Sequence, residues 1–590
     1  MNVSDFVINR LKAWNVVRIF GYPGDGINGI LGALHRNPDL QFVQTRHEEM
    51  AAFMACAHAK FTHTPGVCLA TSGPGAIHLL NGLYDAKLDH QPVVAIIGQQ
   101  RRTALGGHYQ QEVDLLSLFK DVAGDYVHMV THPAQVRQVV DRALRISCAK
   151  RTVTAIILPN DLQEEPAVIE PPREHGYMVT GAGISRSRIV PHKADLLKAA
   201  QILNEGKRVA ILVGAGAIGA ATEVESLAEK LGAGVAKALL GKSVLPDDLP
   251  YVTGSIGMLG TKPSWELMDN CDTLLMIGSG FPYAEYLPEP GKARGVQIDI
   301  DGGMLSLRYP MDVNLLGDSV ATLQELLPLI EYKTDRSWQE RITDSVDTWW
   351  ETVEKRAEQA ADPINPQLVI QRLSPRLPDF SVVTADSGTS AFWYARNLRI
   401  RKGMLASLSG NLATMCPAVP YAVAAKFAYP DRMAVAISGD GAMQMLGLNE
   451  LITVAKYWKT WNDPRLLIVV LNNRDLNMVT WEQRMLSGEP KFEASQDIPD
   501  VNYAAFAQLI GLKGIRVERP DEIDAALDNA FSADTPTVLD VVVDANVPLI
   551  PSHIDPKTWK RFSRALLKGD PEQSGMIRQI IRESMQGGIS

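Results

Sequence analysis

A chain of 590 residues with 46% hydrophobic and 21% charged residues can bury large cores, and at roughly 150 residues per domain it predicts three to four of them. A formal net charge of −9 gives no general electrostatic pull toward nucleic acid, which is therefore not an expected partner. MNVSDFVINRLKAW at the start has no signal-peptide core, and no apolar run approaches the roughly 20 residues that span a bilayer, so a cytoplasmic protein is expected. Cys56, Cys68, Cys148, Cys271 and Cys416 are scattered without CxxC spacing, which predicts buried free thiols in place of a disulfide framework or a zinc site.

In chain order, residues 1–175 alternate helical patterns with short apolar strands (VRIFGY, GVCLAT, VVAII, TAIILP) and end in a proline-rich segment. Residues 190–335 hold RVAILVGAGAIG, TLLMIGSG and GVQIDID, three strand-plus-turn segments whose glycines let backbone approach a ligand or a helix. A charged stretch, EYKTDRSWQERITDSVDTWWETVEKRAEQAADP, reads as a connecting helix. It is followed by a third block at 363–548 and a tail at 549–590. The expected fold class is α/β, with three doubly wound parallel-sheet domains.

The third block carries SGDGAMQMLGLNELITVAKYWKTWNDPRLLIVVLNN at 438–473. MAVAIS and LLIVVL read as buried parallel strands, and Leu448, Leu451, Ile452 and Ala455 fall at helical spacing between them. Asp440 thus stands at one strand's carboxyl end. Asn473 returns to the same edge 33 residues later (473 − 440), because parallel strands are neighbours. Hard oxygen ligands beside a helix N-terminus suit Mg²⁺ bound together with phosphate.

GDG followed by NN resembles the thiamine-diphosphate signature, although KTWNDPRL makes the spacing a few residues longer than usual. That resemblance implies Gly439, Asp440, Gly441 and Ala442 at the diphosphate, with Asp440, Asn473 and Asp475 at the metal. In the first block, QFVQTRHEEMAAFMACAHAK is similar to the family's RHE segment, and Glu48 matches the glutamate that hydrogen-bonds the cofactor's aminopyrimidine. A carboxyl group among apolar neighbours can exchange a proton with that ring. FGYPGDGINGI, LATSGPGAIHLLNGLYDAKLDHQPVVAI, TADSGTSAFW and LSGNLATMCPAVPYAVAAK resemble the remaining cofactor walls, including Ala413, Thr414 and Met415, the last matching the apolar wedge under the bent cofactor.

The middle block resembles the FAD-binding domain of pyruvate oxidase and quinone-linked pyruvate dehydrogenase, at Gly214, Gly216, Gly257, Gly260, Gly278, Phe281 and Asp299. Membership of that group implies oxidative decarboxylation of pyruvate to acetate or an acetyl product, with electrons passing through FAD to a quinone or oxygen. Acetolactate synthases share Glu48 and the FAD domain, and there the flavin need not turn over. On the substrate side, LGGHYQQEVDL places Gln110 where the group has an aromatic residue, with Gln111 matching, and NNRDLNMVTWEQR supplies Met478, Val479, Trp481 and Glu482. Met-Val and Trp-Glu resemble acetolactate synthase. Gln111 and Glu482 join Glu48 as catalytic candidates. The carboligase is the alternative, and a catalytically silent structural or regulatory relative, expected to lose Glu48 or the metal pair first, is a second one.

The family pattern further implies a homotetramer with sites formed between subunits. In the tail, Met576, Ile577, Ile580 and Ile581 form an apolar face beside Arg578 and Arg582, which suits a helix packed on its own protein or one lying on a membrane.

Overall fold

The apolar runs of each block form one six-stranded sheet, and every pairing within the three sheets is parallel. The structure, a computed structural model, describes residues 1–185 and 187–584. In the first sheet the order is Gln41–Gln44, Arg18–Gly21, Gly66–Ala70, Val93–Gln99, Val153–Pro159, Val127–Met129. The third sheet repeats that order with Leu405–Leu408, Val382–Ala385, Ala434–Gly439, Leu466–Asn472, Thr537–Val542 and Lys513–Val517. The middle sheet differs. From one edge it reads Val252–Ser255, Gly234–Lys237, Val209–Val213, Thr273–Ile277, Arg294–Asp299, Val313–Leu316, which is the 3-2-1-4-5-6 order of dinucleotide-binding sheets.

The first and third domains share one hydrophobic core. Its centre is the contact between helix Glu48–Thr62 and helix Ala418–Ala428. Both are rich in alanine and buried over most of their surface, the few polar residues included, and small side chains allow close approach. Polar contacts stitch the same junction. Lys60, with its side chain 5% exposed, reaches Asp89 at 2.7 Å and the main-chain oxygen of Leu408 at 2.6 Å. Asp89 also accepts from the amides of Gly410 and Asn411 at 2.9 and 2.8 Å, so one carboxylate of the first domain holds the loop that leads to Met415. The Tyr421 hydroxyl donates to buried Asp85.

The expected connecting helix spans Ser337–Ala357. The surplus loop before Asn473 has a packing role. It carries Trp461 into the shared core, edge-on to Phe427 at 6.1 Å and beneath the Lys426 ammonium. Of the helical positions read after GDG, Leu451 is buried, whereas Ile452 is 38% exposed. Four of the five cysteines are buried and no disulfide joins any of the five, as expected.

Two helices follow the third domain, Pro556–Leu567 and Gln573–Ser584. Of the tail's apolar face, Met576 is fully buried in the third-domain core and Ile580 packs against it, while Ile577 and Ile581 face outward. Among the described residues no helix is long and apolar enough to cross a membrane.

Replacing Asp89 with Asn keeps the shape but leaves the Lys60 charge buried without its partner. The expected cost is about 3–5 kcal/mol in urea unfolding, and a change of a few tenths would contradict the importance of this stitch.

Candidate active site

Glu48 begins its helix after a three-residue link from strand Gln41–Gln44. His47 caps the helix by accepting the Glu49 amide at 3.2 Å, and two acids in the first turn complement the helix dipole. Glu48 is 7% exposed, and one carboxylate oxygen lies 3.0 Å from Nδ1 of His78. His78 stacks on His47 with ring centroids 4.4 Å apart, and burial, followed by the charge of His78, lowers the His47 pKa. The backbone at Gly75 passes so close that a Cβ there would stand 3.1 Å from the other Glu48 oxygen. Gln111, itself in the left-handed region at φ 61°, lies over the same turn: a Cβ on Gly73 would meet it at 2.8 Å, and Ser72 reaches its amide oxygen at 3.4 Å. Gln110 is exposed to solvent.

The third-domain corner forms where strand Ala434–Gly439 pairs in register with Leu466–Asn472, which places Asp440 and Asn473 on adjacent strand ends. Asp440 is 3% exposed. Its carboxylate accepts the Arg474 amide at 2.5 Å and the Gly441 amide at 2.9 Å. Burial nevertheless pushes its pKa up to about 7, with backbone hydrogen bonds opposing the rise and Asp475 adding to it. A buried carboxyl held by the backbone amides of Arg474 and Gly441 is suited to a cation.

Asn473 accepts the Asp475 amide through its side-chain oxygen at 3.1 Å. Asn472, its neighbour in the pair, turns to Asp500 and Asp540 and braces the sheet. The Asp475 carboxylate is engaged by Asn477, Thr480 and Lys491, so its side chain holds the start of the next helix. At Gly439 an added Cβ would meet nothing within 4 Å, leaving open space beside Asp440. At Gly441 it would strike Leu476 at 2.7 Å and come within 3.3 Å of the Met415 methyl, which puts Met415 against the GDG turn.

The loop to Met415 holds Ala413 at φ 53° and Cys416 at φ 79°, left-handed conformations that non-glycine residues adopt at a cost and that cluster at functional sites. Asn81 joins the two corners by donating to Glu49 at 2.7 Å and to Thr414 at 3.0 Å. Cys416 reaches the Ala442 carbonyl at 3.5 Å. π-helical turns at Met443–Gly447 and Gln483–Ser487 follow the GDG turn and the helix Asn477–Glu482, a local irregularity frequent at functional sites.

The four substrate-side candidates on helix Asn477–Glu482 do not share a face. Met478 lies against Gly388, where a Cβ would stand 3.8 Å away, and Val479 is exposed. Trp481 points into the third-domain core, stacks on Phe562 at 6.1 Å and donates to the Ala545 carbonyl at 3.3 Å. Glu482 is half-buried, with its pKa raised by burial.

In the middle domain, Gly214 and Gly216 follow strand Val209–Val213, and Gly278 follows the adjacent strand Thr273–Ile277, at the point where strand order reverses. Their backbones pack on one another: a Cβ on Gly214 would lie 2.4 Å from the Gly278 carbonyl oxygen and one on Gly216 2.8 Å from its Cα. Phe281 covers Gly257, which sits at φ 103°, and a Cβ on Gly260 would meet the Ser255 carbonyl at 2.6 Å. Asp299 ends its strand nearly buried, accepts the Asp301 amide at 3.0 Å, and has its pKa raised by burial.

Three family descriptions match the chain: the thiamine pyrophosphate enzyme N-terminal TPP-binding domain at residues 1–118, the central domain at 196–326, and the C-terminal TPP-binding domain at 386–541. The chain belongs to the thiamine pyrophosphate enzyme family. YdaP of Bacillus subtilis strain 168, whose name describes a thiamine pyrophosphate-containing protein, is 36% identical over 578 residues, covering 98% of this chain and 97% of that relative. The acetolactate synthase isozyme 2 large subunit of Escherichia coli K12 is 32% identical over 93% of this chain and 98% of its own. The pyruvate oxidase of Lactiplantibacillus plantarum is 28% identical over 92% and 89%.

In this thiamine pyrophosphate enzyme the Glu48 corner thus belongs to the N-terminal TPP-binding domain and the Asp440 corner to the C-terminal one. His78 and Asn81 were not singled out from the sequence. Their signal was present in GAIHLLNG, one to two helical turns beyond the Gly-Pro-Gly turn. Tyr503, whose hydroxyl donates to the Asp440 carbonyl at 3.2 Å, is 63 residues away and carried no signal.

A proton on Asp440 competes with a cation. Because its folded pKa is raised, this group's contribution to apo stability is full below about 4 and is lost as pH rises toward about 7. Binding of Mg²⁺ with thiamine diphosphate should therefore release about one proton from Asp440 at pH 6 and little at pH 8. Calorimetry in buffers of different ionisation heat measures this, and equal release by wild type and Asp440→Asn would contradict the assignment.

Proposed function

We propose that this chain catalyses oxidative decarboxylation of pyruvate or a related 2-keto acid, using thiamine diphosphate, Mg²⁺ and FAD. Pyruvate and water would yield acetate and CO₂, with two electrons and their protons passing to FAD and on to a quinone or oxygen. The observation that supports the flavin in this reading is the middle domain's dinucleotide-type strand order, with Gly214, Gly216 and Gly278 at its switch point and Phe281 and Asp299 on the same rim; whether that flavin turns over is what separates this reading from carboligation.

Thiamine diphosphate, when bound, supplies the nucleophilic carbon and the electron sink for loss of CO₂. Asp440 and Asn473 would hold Mg²⁺, with Gly439 and Gly441 leaving the backbone open to the diphosphate. Glu48 would hold and return a proton at the aminopyrimidine ring, its carboxyl steadied by His78 Nδ1. Gln111, over the Gly73–Pro74–Gly75 turn, would orient the keto acid, and Glu482 would serve as a proton donor from the opposite side. In this reading the protein is a homotetramer whose sites form between subunits.

Carboligation of two 2-keto acids is the second reading, favoured by Met478 beside Gly388 and the exposed Val479, residues that match acetolactate synthase. Both corners keep their carboxyl groups, which argues against a silent relative.

Anaerobic mixing of the loaded enzyme with pyruvate separates these readings. The proposal expects the flavin absorbance to bleach in step with acetate formation. Acetolactate accumulating while the flavin stays oxidised would overturn it in favour of carboligation.

A further inference from the structure

Outside the active site, helices Ser337–Ala357 and Thr389–Arg396 send Arg356 and Arg396 into one pocket beneath the C-terminal helix Gln573–Ser584. Both arginines are more than nine-tenths buried. Arg396 lies over the rings of Trp349 and Phe392, at 5.0 and 4.8 Å, and donates to the Ile550 carbonyl. Glu583 is the one acid among the lining residues. It accepts from Gln367 at 3.0 Å, and its other oxygen stands 3.7 Å from Arg356 Nε, too far for a hydrogen bond. Two guanidinium charges therefore face one carboxylate.

Three further observations agree. Arg356 Nε, Trp349 Nε1 and Asn397 Nδ2 line this pocket, are buried, and have no acceptor. All are donors, and buried donors are normally satisfied. The cavity left among them is about 10 Å³, room for about one water. Burial raises the Glu583 pKa even with both arginines nearby, so its carboxylate is a poor match for the charge around it.

We propose that this pocket is a binding site for a small oxyanion of the phosphate class, filled here by the chain's own Glu583, and that phosphate competes with the last turn of the C-terminal helix for it. Planar guanidinium forks match phosphate oxygens, and two of them match its divalent charge. Met576, fully buried, and Gln579, bonded to Asp544 at 3.0 Å, anchor the earlier turns, so competition loosens the end of the helix and leaves its start docked.

The test uses full-length protein, inorganic phosphate against chloride at equal ionic strength, hydrogen exchange over residues 576–583, and calorimetry. Phosphate, and not chloride, should speed exchange several-fold at the end of that segment in wild type. Glu583→Gln should exchange fast without phosphate and bind phosphate roughly tenfold more tightly, because the internal competitor has lost its charge. Arg356→Gln should lose the phosphate response; should it fail to fold, the Glu583→Gln titration decides alone. No calorimetric binding by Glu583→Gln, or an equal effect of chloride, would overturn the proposal.

Discussion

The contact between helix Glu48–Thr62 and helix Ala418–Ala428 is the constraint on which the rest of the molecule depends. Each helix begins at a functional corner, one at Glu48 and the other just beyond Met415. Burying both over most of their surface fuses two sheets of identical strand order into a single core. The Lys60–Asp89 pair adds direction to an otherwise non-directional apolar contact, because Asp89 also grips the amides of Gly410 and Asn411. Strain at Ala413 and Cys416 is thereby held by packing on both sides.

The two corners treat their carboxyl groups differently. Glu48 sits at a helix start with a histidine side chain at hydrogen-bond distance. Asp440 is buried deeper, meets backbone amides, and has its pKa lifted to about 7 by desolvation, an arrangement that favours neutralisation by a cation or a proton. The middle domain contributes neither group. Its switch-point glycines are required in the first place by backbone meeting backbone.

Much of this was legible in the sequence where chemistry follows strand periodicity. Three parallel α/β sheets and the meeting of Asp440 with Asn473 at neighbouring strand ends were readable, because a βαβ unit leaves little freedom for where the second strand returns. Directions within short helices were not. Met478, Val479, Trp481 and Glu482 read as one substrate-side group, yet Trp481 turns to Phe562 and the core, and the next turn is π-helical. In the sequence the loop KTWNDPRL reads only as extra length between GDG and NN, and its role in packing Trp461 on Phe427 comes from a contact that no local pattern encodes. The arginine pocket joins residues from positions 349 to 583, and no local pattern announces such a meeting.

The central chemical claim is that Glu48 activates a cofactor held by other residues. It is tested most directly with Glu48→Gln, by measuring thiamine diphosphate affinity and, in the same sample, exchange of the thiazolium C2 proton with deuterium. The account predicts near-native affinity with exchange slowed by about 10²–10⁴-fold, the usual range for loss of a positioned acid–base group. Exchange at the wild-type rate would contradict it.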